Sequence, residues 1–495
     1  MRKSFAAPLA ALLATACTVG PNYHPPETAV PPVFAGPQAA PAPGATIDPA
    51  HWWSAFGDPV LDGLVTRALK DNPDITIAAS RVRQARLQEI AAGAVGKPTV
   101  NASGNVSHVE FSKNAGFASL AKLFSGGGAG SSGSTGGVAL PGSGITTYAL
   151  GFDASWELDL FGGGRRGVEA ASARTTAATW SQRDAAVTLA AEVAQDYFAL
   201  RLDQDQLAIG EQELTRQRRT QEITAHIAQV GLSPQVDVAR ERGTLTALEA
   251  RLEPVRADAQ VRLHALGILL GAQPESLVDE LQRPLPTLGV TPVIPAGLPS
   301  DLLRRRPDVR AAERQLAAAT ADIGVAVADL YPKFSLTGLA QLLSASLGNL
   351  FSTDSIQASG SAAVSFPLLD WGRRKATVGM RTEDRVQAYA HYQQTVLGAL
   401  RDVEDALVRI DRERARNATL RRAVDDAARV ARGLDAQYRT GLVAQDAVLA
   451  VENQALVARE QLAASDAQLR QDTASLFKAI GGGWAEESGS PLPPN

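Results

Sequence analysis

The strongest constraint on the fold of this chain is an internal duplication. The segment beginning at Leu298, LPSDLLRRRPDVRAAERQLAAATADIGVAVADLYPKFSLTG, has an echo in DNPDITIAASRVRQARLQEIAAGAVGKPTVNASG. Four matched pairs share one separation along the chain, the first offset: Pro73 and Pro307, Asp74 and Asp308, Pro98 and Pro332, Gly104 and Gly338. Two further matches share a shorter separation, the second offset: Phe161-Gly162 with Trp371-Gly372, and Gly231-Leu232 with Gly441-Leu442. Because repeats must be recognised before domains are counted, we expect one architecture built twice.

The composition argues against several classes of protein. A net charge of −4, without a long block of Lys and Arg, gives no electrostatic reason to expect a nucleic acid as partner. Aromatic residues make up only 5% and Ala is abundant, which is typical of long helices that pack closely together. The sequence contains no window of about 18 apolar residues, so a membrane crossing by the mature chain would have to use strands.

Cys17 is the only cysteine, and its position suggests a role. Basic residues Arg2 and Lys3 precede a short apolar run that ends in small residues directly before Cys17, as in a secretory signal. The start resembles a bacterial lipoprotein signal, whose cleaved product begins at a lipidated cysteine. An ordinary signal peptide with an incidental cysteine is the alternative. The Pro-rich residues 18–51 favour an extended tether after this point.

Four stretches change to a period of two, which predicts strands. They cover residues 100–107, 148–160, 334–342 and 356–366. One apolar face and one polar face suit a barrel wall between lipid and water. Because four strands cannot close a barrel and every backbone group in lipid needs a partner, the chain would have to oligomerise. In the alternative, a soluble β-layer, Trp156 and Phe366 would be core residues.

Two long helical patterns, residues 165–230 and 373–438, are each predicted to extend about 100 Å. Apolar residues recur every seven positions in these helices and in the returning ones: Val193, Leu200, Leu207, Leu214; Tyr389, Val396, Val403, Ile410; Val238, Leu245, Leu252, Ala259, Leu266; Val448, Ala455, Leu462, Leu469, Leu476. This spacing predicts coiled-coil packing. It also makes Leu252 and Leu462 equivalent packed positions. Gly231 and Gly441 are the predicted turns of two helical hairpins.

An arginine pair follows the glycines at the end of each second strand. The pairs are Arg165-Arg166 and Arg373-Arg374. A phosphate-binding loop would need Lys and then Ser or Thr directly after its glycines, and neither copy has this pattern. The glycines are therefore interpreted as strand-to-helix turns. The arginines are expected just below the membrane, where long cationic side chains are favoured.

Several sequence motifs occur in the same order as in a known family. They are Cys17-Thr-Val-Gly-Pro-Asn-Tyr23, Trp52-Trp53, Phe56-Gly-Asp-Pro59, Leu298-Pro-Ser-Asp-Leu-Leu-Arg-Arg-Arg-Pro-Asp-Val-Arg310 and Gly481-Gly-Gly-Trp484. The chain resembles the TolC-like outer-membrane efflux factors, in the lipoprotein branch that serves resistance-nodulation-division (RND) pumps. The resemblance implies a mainly α-helical homotrimer. In the assembly that the resemblance implies, three chains would donate four strands each to a 12-stranded outer-membrane barrel, which a 12-helix periplasmic tunnel would continue.

The resemblance also implies function and location. It implies a lipid-anchored passive exit duct in the outer membrane of a Gram-negative bacterium, extending into the periplasm, without enzyme activity, cofactor or nucleic acid. Its partners would be outer-membrane lipid, a periplasmic membrane-fusion adaptor and an inner-membrane RND transporter. A type I secretion duct for proteins keeps the same fold, and a non-channel periplasmic coiled-coil scaffold is a competing class.

The resemblance further implies a gate at the periplasmic end. Many relatives have an aspartate nine residues after the glycine of the second helical turn, and this chain has Ala450 there. Asp446 and Glu452 lie nearby, and Asp237 follows the first turn. These four positions are the candidate gate. Solvated carboxylates on the exterior are the alternative for any one of the acidic residues.

The predicted boundaries follow from these patterns. They are 1–17 signal; 18–51 tether; 52–97 first-copy helices; 98–160 first β-hairpin; 161–275 first helical hairpin; 276–297 linker; 298–331 second-copy helices; 332–367 second β-hairpin; 368–482 second helical hairpin; 483–495 tail.

Overall fold

The structure, a computed structural model, describes residues 18–37, 48–110, 144–282, 291–292 and 299–484. Cys17, residues 111–143 between the first two strands and the C-terminal tail beyond Trp484 lie outside these ranges. The described residues form two compact units. The strand unit contains residues 18–23, 87–110, 144–172 and 318–385. The helix unit contains residues 24–37, 48–86, 173–282, 291–292, 299–317 and 386–484.

The described elements are mostly helices. In chain order these are α1 (Pro59–Asp71), α2 (Pro73–Val95), α3 (Gly163–Gln229), α4 (Gln235–Leu269), α5 (Val278–Leu281), α6 (Pro299–Arg305), α7 (Pro307–Ala328), α8 (Arg373–Arg439) and α9 (Gln445–Ala479). The strands are β1 (Thr99–Glu110), β2 (Gly144–Leu158), β3 (Lys333–Ser344) and β4 (Ile356–Ser365). Short 3₁₀ helices cover Pro49–Phe56, Pro274–Leu277, Leu347–Asn349 and Thr353–Ser355. The prediction of long helices with four strands is confirmed.

Within the described ranges, no helix is both long enough and apolar enough to cross a membrane.

The four strands form one antiparallel sheet in the order β1-β2-β3-β4. Thr99 lies opposite Ser155 in the first hairpin, and Lys333 lies opposite Ser365 in the second. The first offset relates Thr99 to Lys333 and the second relates Ser155 to Ser365, so the duplication preserves the hydrogen-bond register. Trp156 and Phe366 are exposed in this chain. They are therefore not core residues of a β-layer formed by this chain alone.

In the first copy, Arg166 of the predicted arginine pair holds the N-terminal segment. Arg166 is buried and donates hydrogen bonds to the Val19 carbonyl oxygen at 3.2 Å and to Asn22 Oδ1 at 2.6 Å. Gly20, with φ of +90°, lies so close to Gly324 that a Cβ would come within 2.5 Å of its Cα. The first described residues of the predicted tether are thus bound to the strand unit. Arg166 therefore fixes the N-terminal segment through its burial and hydrogen bonds, and the location of the arginine pair just below the membrane stays a prediction.

The core of the helix unit explains two of the sequence motifs. Trp52 is completely buried and stacks on Phe477, with ring centroids 4.8 Å apart. Asp58 caps α1 by accepting a hydrogen bond from the Val60 amide at 2.9 Å, and it accepts a second from the Tyr197 hydroxyl at 2.5 Å. The Gly-Asp-Pro sequence therefore supplies the turn, the cap and the first residue of α1.

Arg306, the last arginine of the Arg-Arg-Arg-Pro-Asp motif, joins three segments of the helix unit. Its guanidinium donates to Asp308 at 2.7 Å, to Asp402 at 3.3 Å and to the Ala479 carbonyl oxygen at 3.0 Å. Burial alone would lower the pKa of Arg306, but these carboxylates raise it. The rigid fork of the guanidinium suits several acceptors at once. The motif thus fixes the start of α7 against both helices of the second helical hairpin.

The heptad spacing correctly predicts burial at most of its positions but not at all of them. Helices α3 and α8 contain 67 residues each, and α4 and α9 contain 35 each. Most of the predicted seam residues are buried. Tyr389, however, is exposed and Leu462 is only half-buried, whereas Leu252 is 2% exposed. The expected equivalence of Leu252 and Leu462 is therefore wrong within one chain, because the neighbours of the two hairpins differ.

Leu252 packs against α3 at Gly210, which has no side chain. A Cβ built on Gly210 would come within 2.3 Å of Leu252 Cδ2, so the glycine provides the space that the leucine fills. Leu214 and Leu248 are buried in the same cluster.

We predict that Leu252→Ala lowers the free energy of unfolding by about 2–5 kcal/mol, because it removes a completely packed side chain. Leu462→Ala, the matched control at the duplicated position, should cost distinctly less, since its side chain is already partly exposed. Thermal or denaturant unfolding of the two variants measures the difference. Equal losses would contradict the packing described here.

Candidate functional site

The two helical hairpins of the helix unit turn in the same way. Gly231 and Gly441 have φ of +76° and +74°, a conformation that L side chains rarely adopt. After each glycine the next amide donates to a carbonyl five residues earlier, Leu232 to Ile227 at 3.1 Å and Leu442 to Gln437 at 3.0 Å. These bonds satisfy the carbonyls that a helix end leaves open. The predicted turns therefore occupy equivalent positions in the two copies.

A cavity of about 720 Å³ lies directly behind these turns, with residues of both hairpins in its lining. Asp237, Asp446 and Ala450 all line it. Asp237 lies in the first turn of α4, where it accepts a hydrogen bond from the Ser233 hydroxyl at 3.2 Å and pairs with Arg240 at 3.4 Å. Asp446 lies in the first turn of α9 and is exposed. Both carboxylates are favoured there by the positive end of a helix dipole.

Glu452, the fourth predicted gate residue, does not line this cavity but binds an arginine of the other hairpin. Arg216 of α3 donates hydrogen bonds to Glu452 of α9 and to Glu213 of its own helix. The side chains of Arg216 and Glu452 are 32% and 25% exposed. The ion pair therefore joins the first hairpin to the second while remaining partly shielded from solvent.

Burial and charge act in opposite directions on this pair. Burial raises the pKa of Glu452, and the positive charge of Arg216 opposes that rise. Burial alone would lower the pKa of Arg216, but its hydrogen bond to Glu213 and the surrounding carboxylates raise it. Arg216 consequently stays protonated. Glu452 accepts a proton more readily than an exposed glutamate does, so its ion pair weakens at a higher pH than an exposed pair would.

Further polar contacts surround the cavity. Arg251 of α4 pairs with Glu460 of α9, which is a second ion pair between the two hairpins. Gln217, which is buried, donates to Glu241 at 2.6 Å within the first hairpin. Thr224 is also buried, and its hydroxyl has no hydrogen-bond partner among the described residues. In the described part of the chain, no group of three or more His, Cys, Asp or Glu side chains is arranged to hold a metal ion.

The sequence therefore located the turns and the acidic residues but missed Arg216. Its partner Glu452 is 236 residues away, and that distance leaves no local pattern. The spacing of Glu213 and Arg216, three residues apart on one helix, is the only local signal, and many solvated helix faces share it.

Comparison with known proteins identifies a family and relatives that share this architecture. A family model described as outer membrane efflux protein matches residues 64–272 and 298–482. Nodulation protein T of Rhizobium leguminosarum bv. viciae is 30% identical over 486 residues, which cover 97% of this chain and 93% of that protein. The toluene efflux pump outer membrane protein TtgC of Pseudomonas putida is 28% identical, over 96% of this chain and 94% of that protein.

A solved structure agrees with these relatives. The outer-membrane channel OprN superimposes with a TM-score of 0.81 and 30% sequence identity, covering 94% of this chain and all of that chain. The match extends across both copies of the duplication, so it concerns the whole architecture. The chain belongs to the outer membrane efflux protein family.

Proposed function

We propose that this chain is the outer-membrane exit duct of a tripartite RND-type efflux system, through which small amphiphilic molecules leave the cell without catalysis. The observation that carries the proposal is the match of the complete duplicated architecture to outer-membrane efflux channels. Three copies would form the duct in the lipid of the outer membrane. A periplasmic membrane-fusion adaptor and an inner-membrane RND transporter would supply its cargo.

Exposed apolar residues at the hairpin turns support an adaptor as partner. Leu232 is 80% exposed and Leu442 is 76% exposed, and they occupy equivalent positions directly after Gly231 and Gly441. Exposed leucines at the tip of a polar helical hairpin are typical of surfaces that bind another protein. An adaptor that recognises one turn can therefore recognise both.

The cavity behind the turns is the proposed gate. Asp237, Asp446 and Ala450 line it, and Glu452 is held by Arg216 beside it. The ion pairs Arg216–Glu452 and Arg251–Glu460 join the two hairpins, so their loss favours separation of the hairpins. Because Ala450 replaces the aspartate of many relatives, the acidic character of this gate depends on the remaining carboxylates.

A lipid on Cys17 is the proposed anchor. Its support is the signal-like sequence before Cys17 and the hydrogen bonds that fix Val19 and Asn22 to Arg166 immediately after it. These bonds hold the start of the described chain against the strand unit. A lipid at Cys17 would thus be attached close to the strands.

The purified protein, reconstituted in planar lipid bilayers, is predicted to conduct ions without an energy source. At a fixed voltage the current should rise in discrete steps, each from the insertion of one trimer. A non-channel scaffold gives no steps. The absence of conductance from both the wild-type protein and the Arg216→Ala variant, each shown to be inserted and trimeric, would refute the duct.

Arg216→Ala is predicted to increase the open fraction of the channel in the same bilayers. Loss of a partly exposed ion pair of about 1 kcal/mol corresponds to a roughly fivefold change in the ratio of open to closed states. Arg218→Ala is the matched control, because Arg218 pairs with Glu249 inside the first hairpin. If both variants opened the channel equally, the effect would not come from joining the hairpins.

Mass spectrometry of the mature N-terminus tests the anchor. We expect a cleaved chain that begins at Cys17 and carries the mass of attached acyl chains. The Cys17→Ser variant should lose this modification and still insert, since the strands hold the protein in the bilayer. An unmodified cysteine in the wild-type protein would rule out the anchor.

A further inference from the structure

Two arginines and two tryptophans meet in the helix unit, just beyond the end of α9. The guanidinium carbon of Arg183 lies 4.5 Å from the centroid of the Trp180 indole and 4.8 Å from that of Trp484. Arg310 of α7 lies over the Trp180 ring as well, at 5.1 Å. The two indoles meet edge to face, with centroids 5.2 Å apart. These four half-buried side chains form the indole–arginine cluster.

Neither arginine of this cluster has a counter-ion within the described ranges. No carboxylate or other acceptor of the described residues lies at hydrogen-bond distance from either guanidinium, and the Nε atom of Arg310 is buried without a partner. Stacking uses the face of a guanidinium and leaves the N–H groups along its edge free. Two like charges on one indole also repel each other, more strongly where water is partly excluded. The cluster therefore has the donors and the electrostatic requirement to bind an anion.

The duplicated positions carry none of this chemistry. The two offsets relate the four residues of the cluster to an alanine, a glutamine, a threonine and a proline: Ala390, Gln393, Thr76 and Pro274. None of these side chains has a positive charge or an indole. The cluster is therefore a feature of one copy and not of the repeated fold.

The chain passes the cluster at a fixed point. The Gly483 amide donates to the Pro49 carbonyl oxygen at 2.7 Å, and Trp484 Nε1 donates to the Arg305 carbonyl oxygen at 3.1 Å. Gly481 has φ of +78° and lies so close to Arg305 that a Cβ would come within 2.9 Å of its carbonyl oxygen. The residues after Trp484 consequently start from a defined position beside the two guanidiniums.

The sequence after Trp484 carries the complementary charge. Residues 485–495, AEESGSPLPPN, contain two charged side chains, and both are acidic: Glu486 and Glu487. Because an extended chain spans about 3.3–3.6 Å per residue, both glutamates must lie within about 10 Å of Trp484 along the backbone. A tether this short gives the carboxylates a high effective concentration at the cluster.

We propose that Arg183 and Arg310 bind the carboxylates of Glu486 and Glu487, so that the acidic tail closes over Trp484 as a latch. A carboxylate fits the edge of a guanidinium with two parallel hydrogen bonds. Pairing neutralises the two like charges and ties the end of α9 to α3 and α7. The latch belongs to the folded chain and does not depend on whether the chain conducts.

Glutamyl endopeptidase, which cleaves after glutamate, tests whether the arginines protect the tail of the full-length protein. Arg183→Gln with Arg310→Gln should speed cleavage after Glu486 and Glu487 roughly fivefold, as expected for the loss of partly shielded ion pairs. Arg304→Gln is the matched control, because Arg304 pairs with Asp301 of its own helix, and it should be cleaved at the wild-type rate. Equal rates in the wild type and a folded double variant would overturn the latch.

A cross-link gives a second readout with a substitution that keeps the charge. Arg183→Lys supplies a primary amine, which a water-soluble carbodiimide should join to the side-chain carboxyl of Glu486 or Glu487. The amide bond forms with loss of water, and this water converts the carbodiimide to a urea. Peptide mass spectrometry identifies the link. Links from position 183 to other carboxylates only, and none to the tail, would contradict the proposal.

Inorganic phosphate distinguishes the tail from a free anion as occupant. In calorimetry, phosphate should bind the Glu486→Gln with Glu487→Gln variant at least tenfold more tightly than the wild type, because the tail then no longer competes for the arginines. Adding Arg183→Gln and Arg310→Gln should remove this binding. Phosphate that binds the wild type as tightly as the glutamine variant, and depends on both arginines, would show that the cluster holds a free anion instead.

Discussion

Backbone hydrogen bonding at the edges of the sheet is the constraint on which the rest of this structure depends. The inner strands β2 and β3 are paired on both sides, whereas β1 and β4 form the two edges of the described sheet. In lipid, peptide groups along an edge find no water to bind, and in water they attract further strands. A sheet of this kind is complete only when other strands cover both edges. The apolar residues exposed beside those edges, including Trp371 and Phe366, also need to be covered.

The duplication has left the two hairpins of this sheet with one geometry. Their repeated register shows that the backbone has kept it. The side chains have diverged more than the backbone. Arg166 holds the N-terminal segment and is buried, whereas its counterpart Ala376 is exposed. Trp371 has a positive φ of +54°, which is a costly conformation for a bulky residue and persists only where its surroundings hold it.

The helix unit is stabilised differently at its core and at its turns. Around Trp52 and Phe477 the side chains are large and completely buried, and Arg306 connects three segments by short hydrogen bonds. Near Gly231 and Gly441 the contacts between hairpins include partly exposed ion pairs around an open cavity. Partly exposed ion pairs contribute little and are easily exchanged for water. A region held in this way can rearrange without disturbing the packed core, as the proposed gate requires.

The sequence by itself determined the duplication, the long helices, the four strands and the turns at Gly231 and Gly441. Each of these depends on a local pattern: the period of apolar residues, the position of glycine, or a motif repeated at a constant separation. Only the tertiary structure decided which repeated positions are covered. Leu252 and Leu462 occupy the same heptad position, yet only Leu252 is completely buried, because burial depends on neighbours that differ between the copies. For the same reason the Arg216–Glu452 pair and the binding of the N-terminal segment by Arg166 could not be read from the sequence. These contacts join residues far apart in the chain, and only folding brings them together.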